Sequence, residues 1–165
     1  MIGNVEAVSR SEVLSFNKTN YKHIDLMVGL GVKNEASKSS TIGAQIRTVR
    51  ILSMEIIRRL RERGFRISPG VMGEHITTKG IDISELSPHM TINIGPDVEI
   101  RLVASRREAA RSQGNGSDTS RFNGLTSDDY LLSRSCVEGL VIRGGRVRPS
   151  DTIQVQPVSE MEHIA

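Results

Sequence analysis

A chain of 165 residues and 18.1 kDa can bury about two-thirds of the surface it exposes when unfolded, which is enough for one domain with a core and no staples. Its one cysteine, Cys136, excludes an internal disulfide framework and a cysteine-rich zinc cluster and suits a reducing compartment. The net charge is a mild +3, yet 17 of the 22 cations are arginine, the side chain whose rigid fork suits planar oxyanions.

With no Trp, two Tyr and three Phe, the core must come from Ile, Val, Leu and Met, which favours strands where these are β-branched. The first short strand falls at residues 4–9. Residues 23–28 alternate and stop at Gly29 and Gly31; residues 48–52 alternate again. Ser53 then suits an N-cap, with Ile56, Ile57 and Leu60 on one face, Arg58, Arg59, Arg61 and Arg63 mostly off it, and Gly64 as the stop. Residues 90–94 and 98–103 alternate on either side of Gly95-Pro96-Asp97, a hairpin with one wet face. Short helices fit 106–111 and 127–132. The stretch at 112–126 opens with a run of Gly, Ser and Asn and reads as a flexible loop. Residues 137–143, Gly144-Gly145 and Arg146-Val147 read as another hairpin, and 152–156 as a last strand. Many short strands with few helices predict a mainly β barrel or sandwich.

Other readings fail on their context. Gly29-Leu30-Gly31 lacks the helix start that a dinucleotide site needs. The four histidines are not at metal-ligand spacing from one another or from Cys136, so no metal site is expected. The arginines at 58–66 lack the aromatic platforms of a single-strand binder, so nucleic acid is not expected. No secretory leader pattern and no apolar run near ~20 residues is present, so the expectation is a cytoplasmic chain without a membrane span.

Residues 68–83 are richer in specific residues: a Pro69-Gly70 turn, then Gly73-Glu74-His75-Ile76-Thr77-Thr78-Lys79-Gly80-Ile81-Asp82. They resemble the central motif of the MOSC domain, the C-terminal domain of molybdenum cofactor sulfurases that also occurs alone in bacteria. Arg143-Gly144-Gly145-Arg146-Val147-Arg148-Pro149-Ser150-Asp151 resembles that family's closing segment, and the likeness runs over about residues 3–156. It implies one MOSC-like domain across residues 1–165, a β-barrel of the pyruvate-kinase-barrel-like type with a few short helices. It also implies molybdenum cofactor binding and sulfur carriage on a cysteine, with pyridoxal phosphate as a further family association. A thiolate is what that chemistry needs, as nucleophile and as soft ligand.

The chain departs from the pattern at that point. The family's Arg-x-Pro-Cys stretch matches Ser105-Arg106-Arg107-Glu108-Ala109-Ala110, with alanine at the cysteine position. The family's Gly-Asp-x-His matches Asn34-Glu35-Ala36-Ser37, its central Asn matches His75, and its last Gly matches Ser150. The resemblance therefore implies a MOSC-like scaffold without the sulfur-carrying cysteine. It implies an anionic small molecule or cofactor held by Glu74, His75, Thr77, Thr78, Arg106 and Arg107, the molybdenum cofactor included. Two alternatives stay open. One is an active member that uses Cys136 for sulfur transfer or molybdenum ligation. The other is a non-enzymatic assembly module whose protein partner meets Arg58, Arg59 and Arg61.

Overall fold

The computed structural model describes residues 1–15, 17–36, 47–105 and 136–158. The expected helices at 106–111 and 127–132, the loop at 112–126, Arg106, Arg107 and Ala110 lie outside them. The elements in chain order are β1 (Ile2–Arg10), β2 (Thr19–Tyr21), β3 (Ile24–Met27), β4 (Gly31–Val32), β5 (Val49–Ser53) and α1 (Met54–Glu62). There follow β6 (Ile76–Lys79), a single 3-10 turn (Ile83–Glu85), β7 (Thr91–Ile94), β8 (Val98–Ser105), β9 (Val137–Arg143), β10 (Gly145–Val147) and β11 (Thr152–Gln156).

Seven strands close into a barrel in the order β1, β11, β7, β8, β9, β5, β6 and back to β1. An odd number of strands cannot close with every neighbour antiparallel. One parallel pair is required, and β5–β6 supplies it, with Ile51 beside Ile76 and Ser53 beside Thr78. A parallel pair needs a long crossover, and residues 54–75 are that crossover. The helix read from the sequence is thus a demand of the topology. Ser53 caps it by accepting the Ile56 N–H, and Glu55 ties its first turn to the Gly80 N–H at 2.8 Å.

The barrel interior is aliphatic, as the aromatic-poor composition required. Ile51, Ile76, Ile92, Ile94, Ile100 and Ile153 are almost wholly buried there. A second apolar layer lies outside the wall, where α1 sets Met54, Ile57 and Leu60 over Leu52, Ile67, Met72 and Cys136. β5 is therefore buried on both faces, Ile51 inward and Leu52 outward.

The β7–β8 hairpin stands as expected, with Ile94 opposite Val98. The proposed hairpin between 137 and 147 does not form. β9 pairs with β5 and β8, whereas β10 leaves the barrel to pair with β3 in a small β10–β3–β4 sheet. The two adjacent glycines mark a change of sheet rather than a two-residue turn. Among the described residues no helix is long and apolar enough to cross a membrane.

Candidate functional site

The motif at 73–82 occupies the returning limb of the crossover and strand β6. Gly70 sits at φ +94, and a Cβ there would come within 2.4 Å of the Lys18 carbonyl oxygen, so no larger residue fits. That close approach lets the Gly70 N–H donate to Glu74 Oε1 at 2.6 Å, and Thr77 Oγ1 donates to the same oxygen at 3.2 Å. Glu74 is fully buried, and among the described residues its Oε2 has no hydrogen-bond partner. Burial pushes this carboxyl above the usual range, against the pull of the amide and hydroxyl donors.

His75 extends β6 by one residue. Its N–H donates to the Arg50 carbonyl and its own carbonyl accepts from the Ser9 N–H. The imidazole is used on both sides. The Arg50 N–H donates to Nδ1 at 2.9 Å, and Nε2 meets Glu35 Oε2 at 2.5 Å. A nitrogen that accepts an amide proton holds no proton of its own, so the ring is the Nε2–H tautomer. Burial lowers its pKa to about 4, and the nearby Glu35 does not restore it. His75 is therefore neutral at pH 7, and it cannot take up a proton at Nδ1 without losing a backbone hydrogen bond.

Glu35 also pairs through Oε1 with Lys18 Nζ. Burial alone would raise Glu35, but the hydrogen bonds from His75 and Lys18, with the Lys18 charge, hold it below the usual carboxylate range. Since His75 is neutral, the counter-charge is Lys18. Burial pulls the Lys18 ammonium below its ordinary pKa despite that pairing. Lys18–Glu35–His75 thus forms one buried chain of side chains from three separate segments. Lys18 was not foreseen from the sequence, where it follows a sequon-like Asn17 in a polar stretch. Glu35 was noted only as a departure from the family pattern.

Both departures bear on geometry. Glu35 and His75, each a substitution relative to the pattern, contact each other. Asn34 and Ser150, the two positions where the pattern has glycine, both keep left-handed backbone, at φ +64 and +77.

The expected site residues separate into three groups. Glu74 and Thr77 come together, with His75 beside them on β6. Thr78 faces the other way, toward the barrel interior, because its β1 neighbour Val5 belongs to that core. Its hydroxyl is buried and has no partner among the described residues. Arg106 and Arg107 lie outside the described residues.

Cys136 sits at the mouth of β9, where the register Ile51–Val137 sets it next to Leu52. Leu52 in turn pairs with Thr77. Two strand spacings separate the Cys136 and Thr77 backbones, about 10 Å, with Leu52 between them. The thiol is buried among Met54, Ile57, Leu60 and Met72. A molybdenum centre bound through sulfur needs an accessible thiolate, and this position does not fit one. Among the described residues no three His, Cys, Asp or Glu side chains converge as a metal site.

No family model matches the chain, and no curated protein matches it. Solved structures do. The YuaD protein from Bacillus subtilis matches with a TM-score of 0.70 at 17% identity, over 96% of this chain and 98% of that one. YiiM from Geobacillus stearothermophilus matches at 0.65 and 11% identity, over 95% and 76%. YiiM from Escherichia coli matches at 0.56 and 12%, over 94% and 71%. These neighbours are MOSC-domain-like proteins. At such identities the likeness establishes the fold, which is MOSC-like.

Proposed function

We propose that this MOSC-type domain binds an anionic small molecule or cofactor through cations rather than through a thiolate. The observation that carries the reading is the burial of Cys136 in the apolar layer under α1, with Leu52 between its place in the sheet and Thr77. In this reading Glu74, His75 and Thr77 frame the site, since their polar atoms are largely spent on Gly70, Arg50, Glu35 and one another. The half-buried Arg50 supplies positive charge from the outer face of β5, while Lys18 is spent on Glu35. Arg106 and Arg107 are assigned the clamp on the ligand's oxygens, as guanidinium forks suit phosphate and carboxylate. The resemblance keeps the molybdenum cofactor among the ligands to test.

Two measurements decide it. Protein purified from cells that make the molybdenum cofactor is assayed for metal, with Cys136→Ala alongside. The expected result is no molybdenum that depends on Cys136. About one molybdenum per chain, lost in the variant, would establish thiolate ligation instead. In parallel, inorganic pyrophosphate is titrated while the melting temperature is followed. A saturable rise is expected in the parent and a smaller one in Arg106→Gln/Arg107→Gln. No rise in the parent would remove the anion-binding reading.

A further inference from the structure

α1 buries Met54, Ile57 and Leu60 and leaves Arg58, Arg59 and Arg61 exposed, with Arg63 and Arg66 exposed just beyond it. Five arginines against Glu55 and Glu62 leave an excess of three positive charges, which is the net charge of the whole chain. The remaining sequence is balanced. Glu55 is turned to the Gly80 N–H and offers little neutralisation to the exposed face. Arg61 is fixed by donating from Nε to the Ile67 carbonyl at 2.6 Å. Arg58 and Arg61 lie three apart and Arg59 and Arg63 four apart, so they form two neighbouring rows. A helix C-terminus carries only about half a negative charge, far less than these side chains bring.

We propose that this face is a docking surface for an acidic segment of a partner protein. Guanidinium forks pair two-pronged with carboxylates, and rows at helical spacing match Asp or Glu side chains spaced in the same way. A membrane is the poorer partner. The large apolar side chains that stand exposed, such as Val13, Leu14, Val28 and Leu30, are all outside this segment, so it has nothing to insert. Nucleic acid is also poorer. The one aromatic here, Phe65, packs against the apolar layer, which leaves no stacking platform and only a few phosphate contacts. The inference concerns α1 and the residues just beyond it and stands apart from the ligand site.

The probe is a labelled helical peptide with Glu at i and i+4, compared with its Gln counterpart by fluorescence anisotropy near physiological salt. Saturable binding is expected, about tenfold or more tighter for the Glu peptide, and weakening with salt. Arg58→Glu/Arg59→Glu/Arg66→Glu should lose about tenfold or more, with Arg58→Gln/Arg59→Gln/Arg66→Gln in between. Lys22→Glu/Lys33→Glu/Arg148→Glu makes the same change in net charge at other exposed positions and should lose less than about threefold. Circular dichroism confirms that each variant is folded. Equal loss in the control variant, no saturable binding, or tighter binding of a duplex oligonucleotide or phosphatidylserine vesicles at the same salt would overturn the proposal.

Discussion

The outer face of the barrel wall carries two buried clusters on either side of β5, and they are built on opposite principles. On the β9 side, Cys136 joins Leu52, Met54, Ile57 and Leu60 in a layer whose cohesion is contact and burial. On the β6 side, directed bonds form two adjacent sets, Lys18–Glu35–His75 with one ion pair and Gly70–Glu74–Thr77. A reactive-looking residue in the first is buried among apolar side chains, which disfavour its thiolate. Most of the reactive-looking atoms in the second are restrained by a partner, Glu74 Oε2 being the exception among the described residues. Residue type alone does not reveal either condition; register and partners do.

The sharpest way to break this contrast is to remove Glu35. Glu35→Ala leaves Lys18 charged and buried and the His75 Nε2–H unanswered, so a loss of about 3–5 kcal/mol is expected in urea denaturation at pH 7. Lys18→Met/Glu35→Gln removes the charge pair and keeps an acceptor for His75. It should cost well under the sum of its two single changes. If Glu35→Ala costs no more than an exposed substitution, the buried chain is not holding these segments together.

Acid should act on the polar cluster and spare the apolar one. Unfolded His75 binds a proton below its ordinary pKa of 6.5, whereas folded His75 does so only near 4. Between these values the unfolded state holds more protons, so stability rises with pH across that window and is lost as pH falls. The ceiling for this effect is about 3 kcal/mol. Glu35, held low, adds to the loss below its usual range. Glu74, pushed up, acts in the opposite direction: its contribution declines as pH rises above its ordinary value. His75→Asn should flatten the slope between pH 4 and 6.5, and an unchanged profile would mean another group sets it.

The apolar cluster makes a smaller prediction. Cys136→Ser puts a hydroxyl where the surroundings are aliphatic and should cost about 2 kcal/mol. The native thiol should resist an aromatic disulfide reagent that labels it promptly in urea. Fast labelling of the folded protein would reopen a role for Cys136.

How far the sequence spoke for itself follows the same division. Alternation located β3, β5, β7, β8 and β11, since each sets buried residues on one face; β1 and β9 were read as strands without a clear period. The two-residue β4 and three-residue β2 carry too few positions to show a period. β10 was assigned to the wrong neighbour, since pairing depends on contacts far along the chain that local pattern does not encode. The motif at 73–82 named Glu74 and Thr77, which the fold joins by a hydrogen bond. It could not show that Thr78 faces inward, nor that Lys18 and Glu35 reach His75 across 57 and 40 positions of sequence.

The two glycine-to-larger departures offer the finest discrimination. Read as letters, Asn34 and Ser150 look like losses from a pattern. In the fold they occupy left-handed backbone, at φ +64 and +77, the region that glycine enters most freely. The two residues tolerate it unequally. Asn adopts this region more readily than most side chains, whereas Ser bears a Cβ clash worth about 1–2 kcal/mol, against which glycine's extra unfolded-state freedom must be set. Ser150→Gly should therefore stabilise the barrel by about 0.5–1 kcal/mol, and Asn34→Gly should change little. Ser150 lies in the turn where the Arg148 N–H donates to Asp151 and the Ser150 N–H donates to Val5, so its backbone is fixed on both sides. A gain at position 34 equal to that at 150 would mean that Asn34 has no local compensation. A loss at position 150 would mean that the serine side chain supports the turn, and that the departure there is an adaptation of this chain rather than a tolerated defect.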